Sequence, residues 1–167
     1  MLRQQHEEVL HFWFEACKPY QWFRRSDRFD AELSQRFGGL TRAALMGELN
    51  HWQDRSDSAL ALVVLLDQFC RNIWRDQAKA FAGDQAALQL SRIGLQRGWI
   101  TSEAARAKRH FWLMPMLHSE CINTVGEAIP LLERWVDPQT AQIARRNQAA
   151  LHTYGRYPWR DKALGRC

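Results

Sequence analysis

The feature that most constrains the fold is an unbroken apolar run from Ala59 to Leu66. Every side of a helix over this run would be apolar, so such a helix has to be buried on all sides. The surrounding segment from Ser56 to Trp74 contains no glycine or proline, and this length favours a helix, although Val63-Val64 alone would suit a strand. We therefore predict a central helix that is enclosed by the rest of the chain.

Helical spacing of apolar residues recurs along the chain, and strand signals are nearly absent. The spacing predicts helices over about 7–17, 26–47, 56–74, 78–97, 101–114, 119–135 and 137–154. Side-chain caps are expected at Ser26, Ser56, Thr101 and Asp137. Because proline disfavours a helix interior, we expect Pro115 to end or kink its helix near Met114. The sequence thus predicts an all-α fold of antiparallel helix pairs, with no strand longer than a few residues.

Length and charge restrict the broad class of the protein. The 167 residues fit a single domain over 1–167 that can bury a core without disulfides. The net charge is +5, but the basic residues are scattered and form no long block, so we do not expect nucleic-acid binding. The longest apolar run is too short to cross a membrane and the polar N-terminus lacks a signal sequence, so we expect a cytoplasmic location.

No motif for a metal or an organic cofactor stands out. The four cysteines are far apart and form no Cys-x-x-Cys pair, and no His-Glu-x-x-His spacing occurs. Glycine-rich phosphate loops and nucleophile elbows are also absent from the sequence. We therefore expect neither a metal nor a cofactor, and we expect the thiols to be reduced.

A first polar cluster follows directly on the apolar run and contains Asp67, Gln68, Arg71, Asn72 and Arg75. Asp67, Arg71 and Arg75 follow one another at intervals of four, which places them on one face of a helix. A buried aspartate is costly unless it is paired, so Asp67 and Arg71 can form a structural ion pair. Alternatively, the two arginines can present their forked N–H groups to a carboxylate or a phosphate.

Two further polar clusters lie later in the chain. His118, Ser119 and Glu120 flank the start of a predicted helix, where they fit a capping serine and a first-turn acid. A histidine beside a carboxylate can also act as an acid or a base, so His118 and Glu120 are the candidate catalytic residues. His152 and Arg156 lie at the end of the last long helix and fit a helix C-cap.

Five segments follow one another in a recognisable order. They are Phe12–Phe14, Leu65–Asn72, Ala80-Phe81 with Asp84, His118–Glu120, and His152 with Gly155–Asp161. In these segments, which extend over nearly the whole chain, the sequence resembles the bacterial domain-of-unknown-function family 924. The resemblance implies a helical fold related to tetratricopeptide proteins, and it implies no particular activity.

The sequence departs from the pattern of that family at several positions. Cys70 replaces a proline, Trp159 a histidine and Asp161 an asparagine, while Cys121 and Val125 replace polar residues that follow the His-Ser-Glu segment. If the polar residues of the family form an active site, this chain lacks part of that site.

We expect the three polar clusters to meet in space, because buried charges persist only when they are paired or hydrogen-bonded. The three arginines of the clusters outnumber the two acids, so one guanidinium is expected to be available to a ligand. The leading interpretation is a polar pocket that binds a small anionic ligand or a peptide terminus. One alternative is an enzyme that uses His118 and Glu120 as acid and base, and another is an interaction scaffold with purely structural clusters. The reaction, the ligand and the oligomeric state are left open.

Overall fold

The structure, a computed structural model, describes residues 3–166. Its α-helices are α1 (Gln5–His11), α2 (Pro19–Phe23), α3 (Asp27–Leu45), α4 (Ser56–Val63), α5 (Cys70–Ile73), α6 (Asp84–Gln96), α7 (Arg106–His118), α8 (Ile122–Trp135), α9 (Pro138–Tyr154) and α10 (Asp161–Leu164). Wider π turns cover Phe12–Ala16 and Val64–Phe69, and tighter 3₁₀ turns cover Asn50–Asp54, Ala78–Phe81 and Pro158–Arg160. No strand occurs between residues 3 and 166, which confirms the predicted all-α class.

The apolar run forms the centre of the molecule, as its composition predicts. Helix α4, the π turn Val64–Phe69 and helix α5 follow one another without a break, and every residue from 58 to 70 is buried. Helices α1, α6 and α7 pack against α4, while α3 packs against the π turn and α5. A helix that is apolar on all sides is stable in water only in such a position.

The C-terminal half is a series of helices that pack in the order of the chain. Helix α6 packs against α7, α7 against α8, and α8 against α9. The short connections between α7, α8 and α9 reverse the chain direction, so these neighbours are antiparallel. A closer relation to tetratricopeptide proteins stays a prediction. Within the described residues, no helix is both long and apolar enough to cross a membrane.

Two of the four predicted caps are confirmed. The Ser26 hydroxyl accepts a hydrogen bond from the Phe29 N–H, and the Asp137 carboxylate accepts one from the Thr140 N–H. Ser56 is the first helical residue of α4 rather than its cap. The prediction for Thr101 is wrong, because its hydroxyl bonds back to the end of the preceding helix and α7 begins only at Arg106.

Of the two outcomes predicted for Pro115, an end or a kink, the end near Met114 is wrong, because α7 continues to His118. The proline removes one backbone hydrogen bond. Its neighbours Phe111, Trp112, Leu113, Met116 and Leu117 are all buried, and their packing favours the continued helix. This continuation is what brings His118 to the central helix.

Candidate functional site

Asp67 is the most deeply placed charged group of the candidate site, with a solvent exposure of 0%. One carboxylate oxygen lies 2.8 Å from Nδ1 of His118 and 3.3 Å from a guanidinium nitrogen of Arg71. The other oxygen accepts a 2.7 Å hydrogen bond from the Gln68 amide. Burial alone would raise the pKa of Asp67, but His118 and Arg71 outweigh it and lower this pKa to about 2. Asp67 is therefore an anion held by three side chains.

The elements that carry these groups come together for local reasons. Asp67 and Gln68 belong to the π turn Val64–Phe69, a kind of turn that widens a helix and is frequent at functional sites. His118 is the last residue of α7. Gly83 packs against this turn so closely that an added Cβ would lie 2.3 Å from the Leu66 carbonyl oxygen. Only glycine permits this approach, which places the following residue, Asp84, beside the central helix.

Arg71 is held by two carboxylates rather than one. Its guanidinium makes a forked pair with Asp84, at 2.6 and 2.9 Å, and also donates to the backbone carbonyl of Asp67 at 2.8 Å. The two aspartates raise the pKa of Arg71 although its burial acts to lower it. Forked pairs of this kind are strong and geometrically specific. The donors of Arg71 are thus directed at protein groups.

Arg160 is a central residue of the site that the sequence analysis missed. Its side chain lies between the rings of Phe81 and Tyr157, at 4.7 and 4.8 Å from their centroids, and it donates a 2.8 Å hydrogen bond to the His118 carbonyl. Its nearest carboxylate oxygens belong to Asp84, at 3.6 Å, and Glu120, at 4.0 Å. Burial, together with the positive charge of Arg71, lowers the pKa of Arg160.

Glu120 is bound mainly by the C-terminal segment. Both of its oxygens accept hydrogen bonds from Arg166, at 2.8 and 3.0 Å, and one also accepts from the Tyr157 N–H at 3.1 Å. The hydrogen bonds from Arg166 are the main cause that lowers the pKa of Glu120. Glu120 is therefore an anion with several donors around it.

A pocket of about 280 Å³ opens beside these groups. Its polar lining comes from six side chains: Asp84, Gln85, His118, Ser119, Glu120 and Arg160. Phe81, Leu88, Pro115 and Leu164 supply apolar walls. The pocket therefore offers a buried guanidinium and an imidazole to any molecule that enters it.

The remaining residues named by the sequence analysis lie apart from this pocket. Asn72 and Arg75 both bond to Asp30 of α3, in a separate pairing with distances of 2.7 to 3.0 Å. His152 is exposed on the last turn of α9. Arg156 pairs with Asp161 at 2.8 Å.

The three clusters therefore meet only in part. Asp67, Gln68, Arg71 and His118 are in direct contact, and Ser119 and Glu120 line the adjoining pocket. One of the three cluster arginines was expected to be available to a ligand, but each of them pairs with an acid that the comparison of charges did not include. These acids are Asp84 for Arg71, Asp30 for Arg75 and Asp161 for Arg156.

A signal for the missed residues was present in the sequence. Asp84 and Arg160 both lie in segments that resemble the family pattern.

As for metal sites, residues 3–166 contain no group of three or more histidine, cysteine, aspartate or glutamate side chains placed to hold an ion.

Comparisons with known proteins place the chain in a family. No protein with a curated description matches the sequence. The solved structure of a protein of unknown function from Agrobacterium tumefaciens is similar, with a TM-score of 0.90 and 30% sequence identity over 97% of this chain and 90% of that chain. Residues 9–167 match the family described as "Bacterial protein of unknown function (DUF924)". The chain therefore belongs to this bacterial family, which confirms the resemblance carried by its ordered segments.

Proposed function

We propose that the pocket beside Arg160 binds a small molecule through a carboxylate or phosphate group. The observation that carries this proposal is the incomplete pairing of a buried arginine. Arg160 is only 8% exposed, yet no carboxylate oxygen within residues 3–166 comes closer to it than 3.6 Å. Asp84 and Glu120, its nearest acids, accept their short hydrogen bonds from Arg71 and Arg166.

A buried charge without a close partner is energetically unfavourable, and an anion in the pocket would remove this penalty. Guanidinium groups suit carboxylates and phosphates because two parallel N–H groups can face two oxygens. The stacking of Arg160 between Phe81 and Tyr157 holds the guanidinium in place before a ligand arrives. Little ordering entropy would then be lost on binding.

Isothermal titration calorimetry with sodium phosphate and sodium acetate, at constant ionic strength, tests the proposal. We expect the wild type to bind at least one of the two anions, Arg160→Lys to bind it more weakly, and Arg160→Gln not to bind it. Arg92→Gln is the control, because Arg92 is a surface arginine that bonds to Thr124 and Glu127. Unchanged binding by Arg160→Gln would contradict the proposal. If that variant does not fold, phosphate-dependent shifts of the arginine Nε–H signals in the wild type decide the question.

A second candidate function is proton transfer by His118. The Asp67 carboxylate accepts from Nδ1 of His118, which fixes the tautomer and directs Nε2 away from the buried acid. Among residues 3–166, Nε2 has no hydrogen-bond partner, and the ring lines the pocket. An oriented imidazole beside an anion site can act as a general acid or base. His118 fits this role better than Glu120, whose oxygens are occupied by Arg166 and Tyr157.

Hydrolysis of p-nitrophenyl phosphate and p-nitrophenyl acetate tests this second candidate. We expect turnover of one ester that is lost in His118→Ala and reduced in Asp67→Asn, while Glu120→Gln retains most of it. Turnover that is independent of His118 would contradict the proposal, as would a wild type without turnover. In the absence of turnover, anion binding at Arg160 would stand as the function.

We propose that the protein acts in the cytoplasm, where small anionic metabolites occur. Cell fractionation tests this location.

A further inference from the structure

A second cavity, of about 470 Å³, lies between α2, one face of α7 and the first turns of α9. Trp22 and Phe23 line it from α2, and Met114, Leu117 and Ile143 are among its apolar lining residues from α7 and α9. Phe23 is 62% exposed and Ile143 is 45% exposed, so the cavity leaves large apolar surfaces in contact with water. Its volume is in the range that holds small organic ligands.

Polar groups converge at one end of this cavity. His110 lies against Phe23, with the rings nearly parallel and their centroids 5.6 Å apart. Neither ring nitrogen of His110 has a hydrogen-bond partner among residues 3–166, although the side chain is half-buried. Burial lowers the pKa of His110, so at neutral pH its imidazole is uncharged and can both donate and accept. A ligand with an oxygen at this end would satisfy it.

The charged groups at this end favour an anion. The Arg106 guanidinium has a single ion pair within the described residues, with Asp137 at the long distance of 3.8 Å. Asp137 already caps α9, since its other carboxylate oxygen accepts a 2.7 Å hydrogen bond from the Thr140 N–H. An anionic ligand could pair with Arg106 and leave the hydrogen bond between Asp137 and the Thr140 N–H intact. A cationic ligand would have to compete with Thr140 and Arg106 for the Asp137 carboxylate.

From these observations we propose that the cavity binds a small carboxylic acid with an apolar body. Its carboxylate pairs with Arg106 and accepts from His110, and its apolar part covers Phe23, Met114 and Ile143. The site is distinct from the pocket beside Arg160, because its lining shares no residue with that pocket. Leu117 borders this cavity, and the next residue of α7, His118, borders the other.

The test is displacement of the fluorescent probe N-phenyl-1-naphthylamine, which is apolar and uncharged at neutral pH, from the full chain. The competitors are decanoate, decan-1-ol and decylammonium, which share one chain length and differ in head group. We expect decanoate to displace the probe at a concentration about fivefold lower than decan-1-ol, as follows from about 1 kcal/mol for a partly exposed ion pair. Decylammonium should be the weakest of the three. If decylammonium equals or exceeds decanoate, the assignment of an anionic ligand is overturned.

Three variants locate the binding to this cavity. Ile143→Glu places a charge in the apolar wall at an exposed position, and it should abolish probe binding while the helical signal stays unchanged. Arg106→Gln should keep probe binding and lose the preference for decanoate over decan-1-ol. Arg55→Gln is the matched control, because Arg55 is likewise an exposed arginine at a helix start with one ion pair, to Asp57 at 3.3 Å. Probe binding that survives Ile143→Glu, or an unchanged preference in Arg106→Gln, would refute the proposal.

Discussion

Replacing Asp67 with asparagine removes the charge at the centre of the site and keeps the size of the side chain. The new amide can still accept from His118 and Arg71, and the Gln68 amide can rotate to accept from it. Arg71 keeps its forked pair with Asp84. The main loss is therefore the stabilisation of the carboxylate, whose pKa is lowered from 3.8 to about 2 in the folded protein.

The size of this loss follows from the pKa shift. Each unit corresponds to about 1.4 kcal/mol, so Asp67→Asn should lower the free energy of unfolding by about 2 kcal/mol near neutral pH. Because the folded pKa is below the unfolded one, the contribution of the carboxylate is complete well above 3.8 and disappears as the pH falls through about 2. At pH 3, roughly half of the difference between wild type and variant should remain.

Urea unfolding followed by far-UV circular dichroism, near pH 7 and near pH 3, measures this difference. Asp54→Asn is the control, because Asp54 is exposed and should change stability by no more than about 0.5 kcal/mol. If wild type and Asp67→Asn have the same free energy of unfolding near neutral pH, or if their difference stays constant down to pH 3, the ionised carboxylate of Asp67 does not stabilise the fold as inferred. Asp67→Ala should cost more, about 3 kcal/mol, because the buried donors of His118 and Gln68 would then lose their acceptor.

Three further predictions concern the framework of the fold. Gly83→Ala should destabilise the protein by about 2–3 kcal/mol in urea unfolding, because its Cβ would collide with the Leu66 carbonyl; an effect below about 0.5 kcal/mol would show that the two backbones can separate. Asp137→Ala should cost about 1 kcal/mol through loss of the cap on Thr140, and a neutral result would mean that water replaces the carboxylate. Excess EDTA should leave the thermal unfolding curve unchanged, whereas a lower midpoint would reveal a metal that the protein needs.

The fold could be predicted from the sequence wherever one local rule was decisive. The run from Ala59 to Leu66 has no polar side, so its burial followed from composition, and Asp137-Pro138 carries both a cap and a first-turn proline. Pro115 does not end its helix, because the packing of the residues around it outweighs one missing hydrogen bond. Such packing is a tertiary effect that local spacing does not contain.

Of the contacts in the site, only those between residues on neighbouring turns of one helix could be predicted from the sequence. The pairing of Asp67 with Arg71 followed from their separation of four. The contact of Asp67 with His118 joins residues 51 apart, and the short bonds of Arg71 to Asp84 depend on the close approach of Gly83 to Leu66. Counting charges within a sequence cluster could not find the partners His118 and Asp84, because each of them lies on a different helix from the cluster.

The positions at which this chain departs from its family bear on whether a shared function is retained. Trp159 is an exposed ring stacked on Tyr157, and Asp161 pairs with Arg156 and Arg166. Neither position supplies a side-chain hydrogen bond to the groups on which the proposed function depends. Those groups are Asp67, His118 and Arg160, and each lies in a segment that matches the family pattern.

His118 connects these groups, since its ring meets the buried acid and its carbonyl accepts from the arginine. A function carried by an oriented imidazole and a buried guanidinium therefore does not require the replaced residues. Trp159 and Asp161 are not among the residues that line the pocket, so these departures leave its lining in place.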